Sequence, residues 1–330
     1  MKYRLISLFL FLSIAFNLSA ENYPITRPNS DSSATKVFVS FYVLDIESID
    51  NKKQSFTLDV IIRLRWKDER ISNVKNSIPL NEVWNPNIQL YNMRKMWKRF
   101  PEVVVPLPDN MLQYTQRYYV TLSSILDFRD FPFDIQSLPI TLLSFGNSPD
   151  EVELVYESAG SSEKFSISDW EVVPDTFEVS VLKANLFDKS DDEILRPKLE
   201  YRFKASRFIQ FYWWKVLSPL MIILFLSWAV FWIDPSQVGA QIGVSGTSIL
   251  TLIAFLYKLD NILPPVSYLT RMDHFIFTAL VLVFIAYLEA LISTTFALNG
   301  KLKIASRMDI IFRVLYPFLF LIVIIVYWIR

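Results

Sequence analysis

The chain has 330 residues, 52% of them hydrophobic and 15% aromatic, and its 33 Lys and Arg balance 33 Asp and Glu. Zero formal net charge argues against a nucleic-acid partner, because phosphate backbones are met by clustered cations. With no cysteine and His274 as the single histidine, disulfide frameworks, thiolate nucleophiles, Cys-ligated zinc and histidine metal clusters are excluded, and no cofactor is expected.

In residues 1–20, Lys2 and Arg4 precede an apolar run over 5–16, and Leu18-Ser19-Ala20 offers a small-residue cleavage site. This predicts a secretory signal peptide removed before Glu21. An uncleaved anchor is the alternative, and the run is short for one. From 24 to about 204 the composition is that of a soluble domain, and after Phe208 it is mostly membrane-like. Phe56, Leu58, Val60, Ile62 and Leu64 alternate with Thr57, Asp59, Ile61, Arg63 and Arg65, the period of a strand with one dry face. Further strands are predicted at 118–122, 136–143, 170–182 and 199–203, punctuated by Pro, Asn, Asp and Gly. Many short strands without helices predict an all-β, immunoglobulin-like sandwich over 21–207. The charged stretch 188–193 reads as an exposed hairpin tip.

Residues 208–330 hold four segments of spanning length, at 211–233, 238–257, 275–297 and 310–329. Pro219 is tolerable in the first because neighbouring helices can satisfy the carbonyl it frees. With the sandwich exported, four spans put Lys301, Lys303, Arg307 and Arg313 on the cytoplasmic side, as the positive-inside rule asks. The second span differs from the rest. At helical spacing Gly239, Gly243, Thr247, Leu250, Ala254, Tyr257 and Asn261 share one face, while Ile242, Ile249, Leu252, Ile253 and Leu256 form an apolar face suited to protein or lipid. A polar stripe on a membrane helix suggests a pore wall, and one such helix encloses a channel only in a ring of identical subunits.

Five motifs, one of them in two parts, then stand in order. They are Trp66-Lys67-Asp68-Glu69-Arg70; Val83-Trp84-Asn85-Pro86; the loop Asp127-Phe128-Arg129-Asp130-Phe131-Pro132-Phe133-Asp134-Ile135-Gln136; Leu226-Ser227-Trp228 with Phe231-Trp232; and Leu263-Pro264-Pro265-Val266-Ser267-Tyr268. With them the chain resembles the pentameric ligand-gated ion channels, the Cys-loop receptor superfamily, over everything after the signal peptide. The cysteines that flank the signature loop are replaced by Ser124 and Leu138, as in bacterial members. The resemblance implies a homopentamer in a bacterial inner membrane, its sandwich in the periplasm, in contact with membrane lipid, permeant ions and a small-molecule agonist or protons.

By resemblance, the apolar tip Phe131-Pro132-Phe133 rests on the outer helix ends near Pro264 and Pro265, and Asp134 pairs with Arg207 across the junction. That pair is either a coupling element or a static salt bridge. The turn at 47–52 completes the expected transmission zone. Agonist sites between subunits match Tyr91, Phe145 and Phe187 on one face. On the other, Ile61 replaces a usual aromatic, which weakens a cation cage, and Arg63 matches a position that engages an agonist carboxylate, with Arg117 as a second candidate. Each aromatic reads equally as packing and each arginine as a solvated strand residue. In the pore, Leu250 matches the gate leucine and Tyr257 a second constriction. The family's inner glutamate ring is missing; Ala240-Gln241-Ile242-Gly243 resembles anion channels, while Asp234 and Asp260 favour cations. A non-conducting membrane sensory receptor of the same architecture is the alternative. An enzyme is not supported, since no phosphate loop, zinc spacing or nucleophile elbow is present.

Overall fold

The computed structural model describes residues 23–28, 33–72, 74–184, 194–259 and 266–328. The signal segment 1–20, the hairpin tip 188–193, Phe187, Asp260, Asn261, Pro264 and Pro265 lie outside the described residues.

Two sheets form the N-terminal half. One has the order β3 (Ile78–Pro79), β6 (Val103–Leu107), β7 (Met111–Ser123), β2 (Ser55–Lys67), β1 (Thr35–Asp50) and β9 (Val152–Ser161), with β5 (Met93–Lys98) also on β7. The other runs β10 (Trp170–Ala184), β11 (Ile194–Arg207), β8 (Ile135–Ser144) and β4 (Ile88–Leu90). Their inner faces meet around Phe56, Leu58, Trp66, Leu112 and Phe203, all buried, with the Trp66 and Trp84 rings edge to face at 6.1 Å. β2 and β7 alternate buried and half-buried along nearly their whole length, so periodicity reveals them. β1 was not predicted. Irregular register at Val43/Asp45 and Ile46/Ser48 shifts its buried positions out of strict alternation, which hides the period of two.

Two motifs acquire structural work. Beyond β2, Arg70 donates from Nε and NH2 to the two carboxylate oxygens of buried Asp68, each at 2.8 Å, and from NH2 to the Thr26 carbonyl, pinning the N-terminal segment to the sheet. The Pro86 carbonyl accepts from Ser144 Oγ and Asn147 Nδ2, tying the segment before β4 to the end of β8.

Four apolar helices follow: Gln210–Trp232, Val238–Leu259, Arg271–Leu298 and Leu302–Trp328. The first accommodates Pro219 with a π turn over Trp213–Leu217, Ser218 N–H donating to the Trp213 carbonyl. Thr270 caps the third reciprocally with Asp273. The fourth begins eight residues before the predicted span because hydropathy discounts Lys303, Arg307 and Asp309, which the helix nevertheless includes. Arg313 Nε donates to the Phe231 carbonyl and Trp228 Nε1 to the Arg313 carbonyl, locking the first and fourth helices together.

Candidate functional site

The second helix has two contrasting sides. Gly239, Gly243, Thr247, Leu250, Ala254 and Tyr257 are all exposed, Leu250 at 69% and Tyr257 at 78%. Open space surrounds the positions a Cβ would take at Gly239 and Gly243, so neither glycine is required for packing against its own chain. The side buried within the chain's own bundle is mixed in character. It comprises Gln241, Ser245, Ser248, Leu252, Phe255 and Leu259, whereas Ile242, Ile249 and Leu256 are half-buried and Ile253 is exposed. Serines can occupy that side because each hydroxyl returns to its own helix, Ser245 to the Gln241 carbonyl and Ser248 to the Val244 carbonyl. Their small size lets neighbouring helices approach closely.

Asp234, between the first two helices, accepts from the Ser236 hydroxyl and backbone N–H. These bonds hold its carboxyl below the usual aspartate range, so it is an anion at neutral pH.

Where the sandwich meets the helices, Arg207 is buried with its partner: the side chains of Arg207 and Asp134 are 2% and 1% exposed and joined at 2.8 Å. Arg207 also donates to the Tyr212 hydroxyl at 3.2 Å and to Asn51 Oδ1 at 3.0 Å, and its guanidinium lies over the rings of Trp170 and Phe131. The Phe131 ring meets Tyr212 edge to face at 5.0 Å. Phe131 and Pro132 are buried and joined by a cis peptide, and Phe133 is half-buried. Backbone bonds run from Arg271 N–H to the Arg129 carbonyl and from Met272 N–H to the Phe131 carbonyl, beside an Arg271–Asp130 ion pair at 2.8 Å. The Tyr268 hydroxyl accepts from Phe128 N–H. The signature loop is therefore clamped to the start of the third helix. Ser124, in a cysteine's place, donates its hydroxyl to the Ser137 carbonyl at 2.7 Å and closes the loop's base. Of the 47–52 turn, Glu47 belongs to β1 and bonds the Tyr119 hydroxyl, while Asn51 reaches the junction.

The predicted ligand residues fall on separate sheets. Tyr91, 51% exposed, lines a cleft of about 450 Å³ with Asn92, Arg94, Thr141, Lys198 and Glu200. Phe145, 39% exposed, follows the other end of the short β4–β8 ladder and does not line that cleft within one chain. Burial alone would raise the Glu200 carboxyl, but hydrogen bonds from Lys198 and Arg202 outweigh it and hold Glu200 below the ordinary glutamate range. Arg63 and Ile61 share a face and line a second cleft, of about 440 Å³, with Ser40, Tyr42, Gln113 and Thr115. Arg63 lies 3.6 Å from Glu157, which also pairs with Arg65, so one carboxylate serves two guanidiniums. Arg63 Nε and Thr115 Oγ1 are buried without a hydrogen-bond partner. Arg117 is instead engaged by Asp59 through Nε and NH2, which raises its pKa. Asp59 occupies the fork a ligand carboxylate would need, which weakens the Arg117 assignment.

Residues 16–208 match the neurotransmitter-gated ion-channel ligand binding domain, and residues 216–302 match the neurotransmitter-gated ion-channel transmembrane region. The chain belongs to the neurotransmitter-gated ion-channel family. This family consists of ligand-gated channels rather than enzymes, and with its four apolar helices the chain is a multi-pass membrane protein. A proton-gated ion channel of Gloeobacter violaceus is 26% identical over 304 residues, 89% of this chain and 82% of that one. The human gamma-aminobutyric acid receptor subunits alpha-2 and rho-2 are each 26% identical, over 284 and 279 residues. These alignments cover 80% of this chain but 60% and 59% of the subunits, so the chain spans about three fifths of their length. Within this member of the neurotransmitter-gated channels, sequence reading passed over Trp170, Tyr212 and Glu289 as site residues, whereas Asn51 falls in the expected 47–52 turn. Glu289 had a usable signal, being the one charged residue in 275–297.

Asp134→Ala, which strips Arg207 of its counter-charge, is expected to cost about 3–5 kcal/mol in denaturant unfolding, with the Asp134→Leu/Arg207→Met pair recovering part of the loss. Because the folded-state pKa of Glu200 lies below its unfolded value, its contribution is complete above that unfolded value and lost as pH falls through the folded one. The melting-temperature gap between wild type and Glu200→Gln should therefore hold steady at neutral pH and narrow below about pH 4.

Proposed function

We propose that five copies of the chain surround a cation-conducting pore lined by Gly239, Gly243, Thr247, Leu250, Ala254, Tyr257 and Asn261, opened by a small carboxylate ligand between neighbouring sandwiches. Exposure along the stripe carries the reading. Six polar, small or gate-type residues stay open in a helix whose other side is buried in its own bundle, which leaves a lumen as their natural surrounding. A ring of Leu250 side chains forms an apolar constriction that dewets when narrow, and Asp234 supplies a ring of anions at the inner mouth.

Tyr91 and Arg63 line separate clefts that share no residue within one chain, which suits a ligand held between neighbouring subunits. The unpartnered Arg63 Nε and the excess of guanidinium over carboxylate around Glu157 suit an anionic headgroup. Two relatives are named for gamma-aminobutyric acid, which bears a carboxylate. Protons are the second reading for the opening stimulus, favoured by the proton-gated relative that aligns with 89% of the chain. Either stimulus opens the pore by favouring the open ring over the closed one. The difference passes through the clamp of Arg207, Asp134, Phe131, Pro132 and Phe133 to the linker at Pro264 and Pro265. The exported domain is assigned to residues 21–207 after a cleaved signal, facing the periplasm of a bacterial inner membrane.

Current recordings from the chain in planar bilayers test this, with reversal potentials in a salt gradient reporting the sign of the permeant ion. Leu250→Ser is expected to raise agonist or proton sensitivity about tenfold, roughly 1.4 kcal/mol toward the open state. A correctly assembled protein that passes no current under any carboxylate or pH would be a sensory receptor instead. Arg63→Ala should raise the half-maximal carboxylate concentration about 10- to 100-fold, the loss of one charge-assisted contact, and leave single-channel conductance unchanged.

A further inference from the structure

At the end of the bundle away from the sandwich, polar side chains from three helices meet in a dry interior. Gln241 comes from the second helix, Glu289 and Ser293 from the third and Asp309 from the fourth, and all four are buried. Asp309 is well supplied with donors: Ser293 Oγ donates to its Oδ1 at 2.9 Å and Gln241 Nε2 approaches its Oδ2 at 3.4 Å. Glu289 is not. Both its carboxyl oxygens are buried without any donor, and the Gln241 amide oxygen in the same cluster is also unpartnered. Glu289 stands four residues before Ser293 on the same face of the third helix, and the Ser293 bond to Asp309 brings the two carboxyls into one cluster.

Ionised carboxylates only accept, so the two can hydrogen-bond to each other only when one of them carries a proton. Asp309, with two donors already directed at it, is the better acceptor, which makes Glu289 the donor. With both ionised, two anions would face each other in a low-dielectric bundle, and Glu289 would be a buried charge with no compensating bond. Arg313 is the cation that faces Asp309 from the fourth helix, and its Nε is engaged by the Phe231 carbonyl. The second helix contributes the neutral Gln241, and the end of the first contributes the Ile233 carbonyl, which Gln241 Nε2 also reaches.

We propose that Glu289 and Asp309 form an intramembrane proton-binding site, one proton shared between the two carboxyls, whose occupancy governs the inner end of the pore helix through Gln241. Gln241 lies midway between Gly239 and Gly243 in sequence, on the opposite side of the helix from both. When the proton leaves, repulsion separates the third and fourth helices and releases the Gln241 contact, and the inner pore-lining glycines move with that turn. The proton reaches the site from the compartment on the far side of the membrane from the sandwich. That makes the device distinct from any agonist cleft between sandwiches. The coupling to opening rests on the reading of the chain as a gated pore, while the proton site itself does not.

Infrared difference spectroscopy on the full chain in lipid vesicles, between acid and alkaline buffer, reads the site without current. Wild type should show the carbonyl band of a buried, protonated carboxylic acid that fades as pH rises, and Glu289→Gln and Asp309→Asn should each lack it. A wild-type spectrum without this band, or the same band in Glu289→Gln, would overturn the proposal. So would a site whose band is absent but whose stability follows added sodium or calcium, since the carboxyls would then hold a metal cation. In patches with the inner face perfused, wild-type agonist sensitivity should shift with inner pH by about 5- to 150-fold, the span of ordinary couplings. Gln241→Leu should keep the band and abolish that shift. An inner-pH response unchanged in Gln241→Leu would overturn the coupling through Gln241. Silence of a wild type that shows the band would overturn the channel reading and the coupling, leaving the proton site standing.

Discussion

Arg207 is a guanidinium taken almost wholly out of water, and such a group is stable only if nearly every donor and both faces of its plane are engaged. The partners come from separate parts of the chain. Asp134 and Phe131 lie in the signature loop, Asn51 in the β1–β2 turn, Trp170 at the start of β10 and Tyr212 at the start of the first helix. No one of these segments can shift without leaving part of a buried cation unpaired. The sandwich and the helices are therefore connected by a common ion, and a displacement in either half is felt by the other as an electrostatic cost. This explains why an isolated salt bridge and a coupling element are poor alternatives for the Asp134–Arg207 pair. The same burial that makes the pair structural makes it sensitive to movement.

The second helix solves a related problem at the other end of the molecule. A membrane helix carrying Gln241, Thr247, Ser245 and Ser248 must satisfy each polar atom without bulk water on every side. The hydroxyls do so on the helix's own carbonyls, Thr247 on Gly243 as well as the two serines, so they add little polarity to the faces they occupy. Gln241 is too long for that and reaches across the bundle to Asp309 and Ile233. Polar residues on such a helix thus divide into those left exposed along one stripe and those absorbed by the backbone or by neighbouring helices. Hydropathy cannot separate the two groups.

That distinction marks what could be read from the chain. The β2 strand, the four spans and the exposed stripe were legible because each is a periodicity repeated over a dozen or more residues. The Arg207 hub was half legible: Asp134 came from a motif match and Asn51 from the expected 47–52 turn, but Trp170 and Tyr212 are ordinary residues brought together only by tertiary structure. The serines on the buried side of the second helix were not singled out, because serine counts as polar in any scale although its hydroxyl is locally satisfied here. β1 escaped because irregular register interrupts its alternation.

The single hydrogen bond from Ser124 to the Ser137 carbonyl stands where a covalent cross-link would close the signature loop in cysteine-bearing relatives. A bond of that strength forms and breaks within the ordinary thermal life of a protein and requires no oxidant or isomerase to be placed correctly. The loop's integrity is thereby delegated to its neighbours, chiefly the Gln136 side chain spanning Asp127 and Asp134 and the clamp on the third helix. Maturation of the chain is uncoupled from the redox chemistry of the compartment in which it folds, and the contact surface between its two halves is assembled by non-covalent contacts alone.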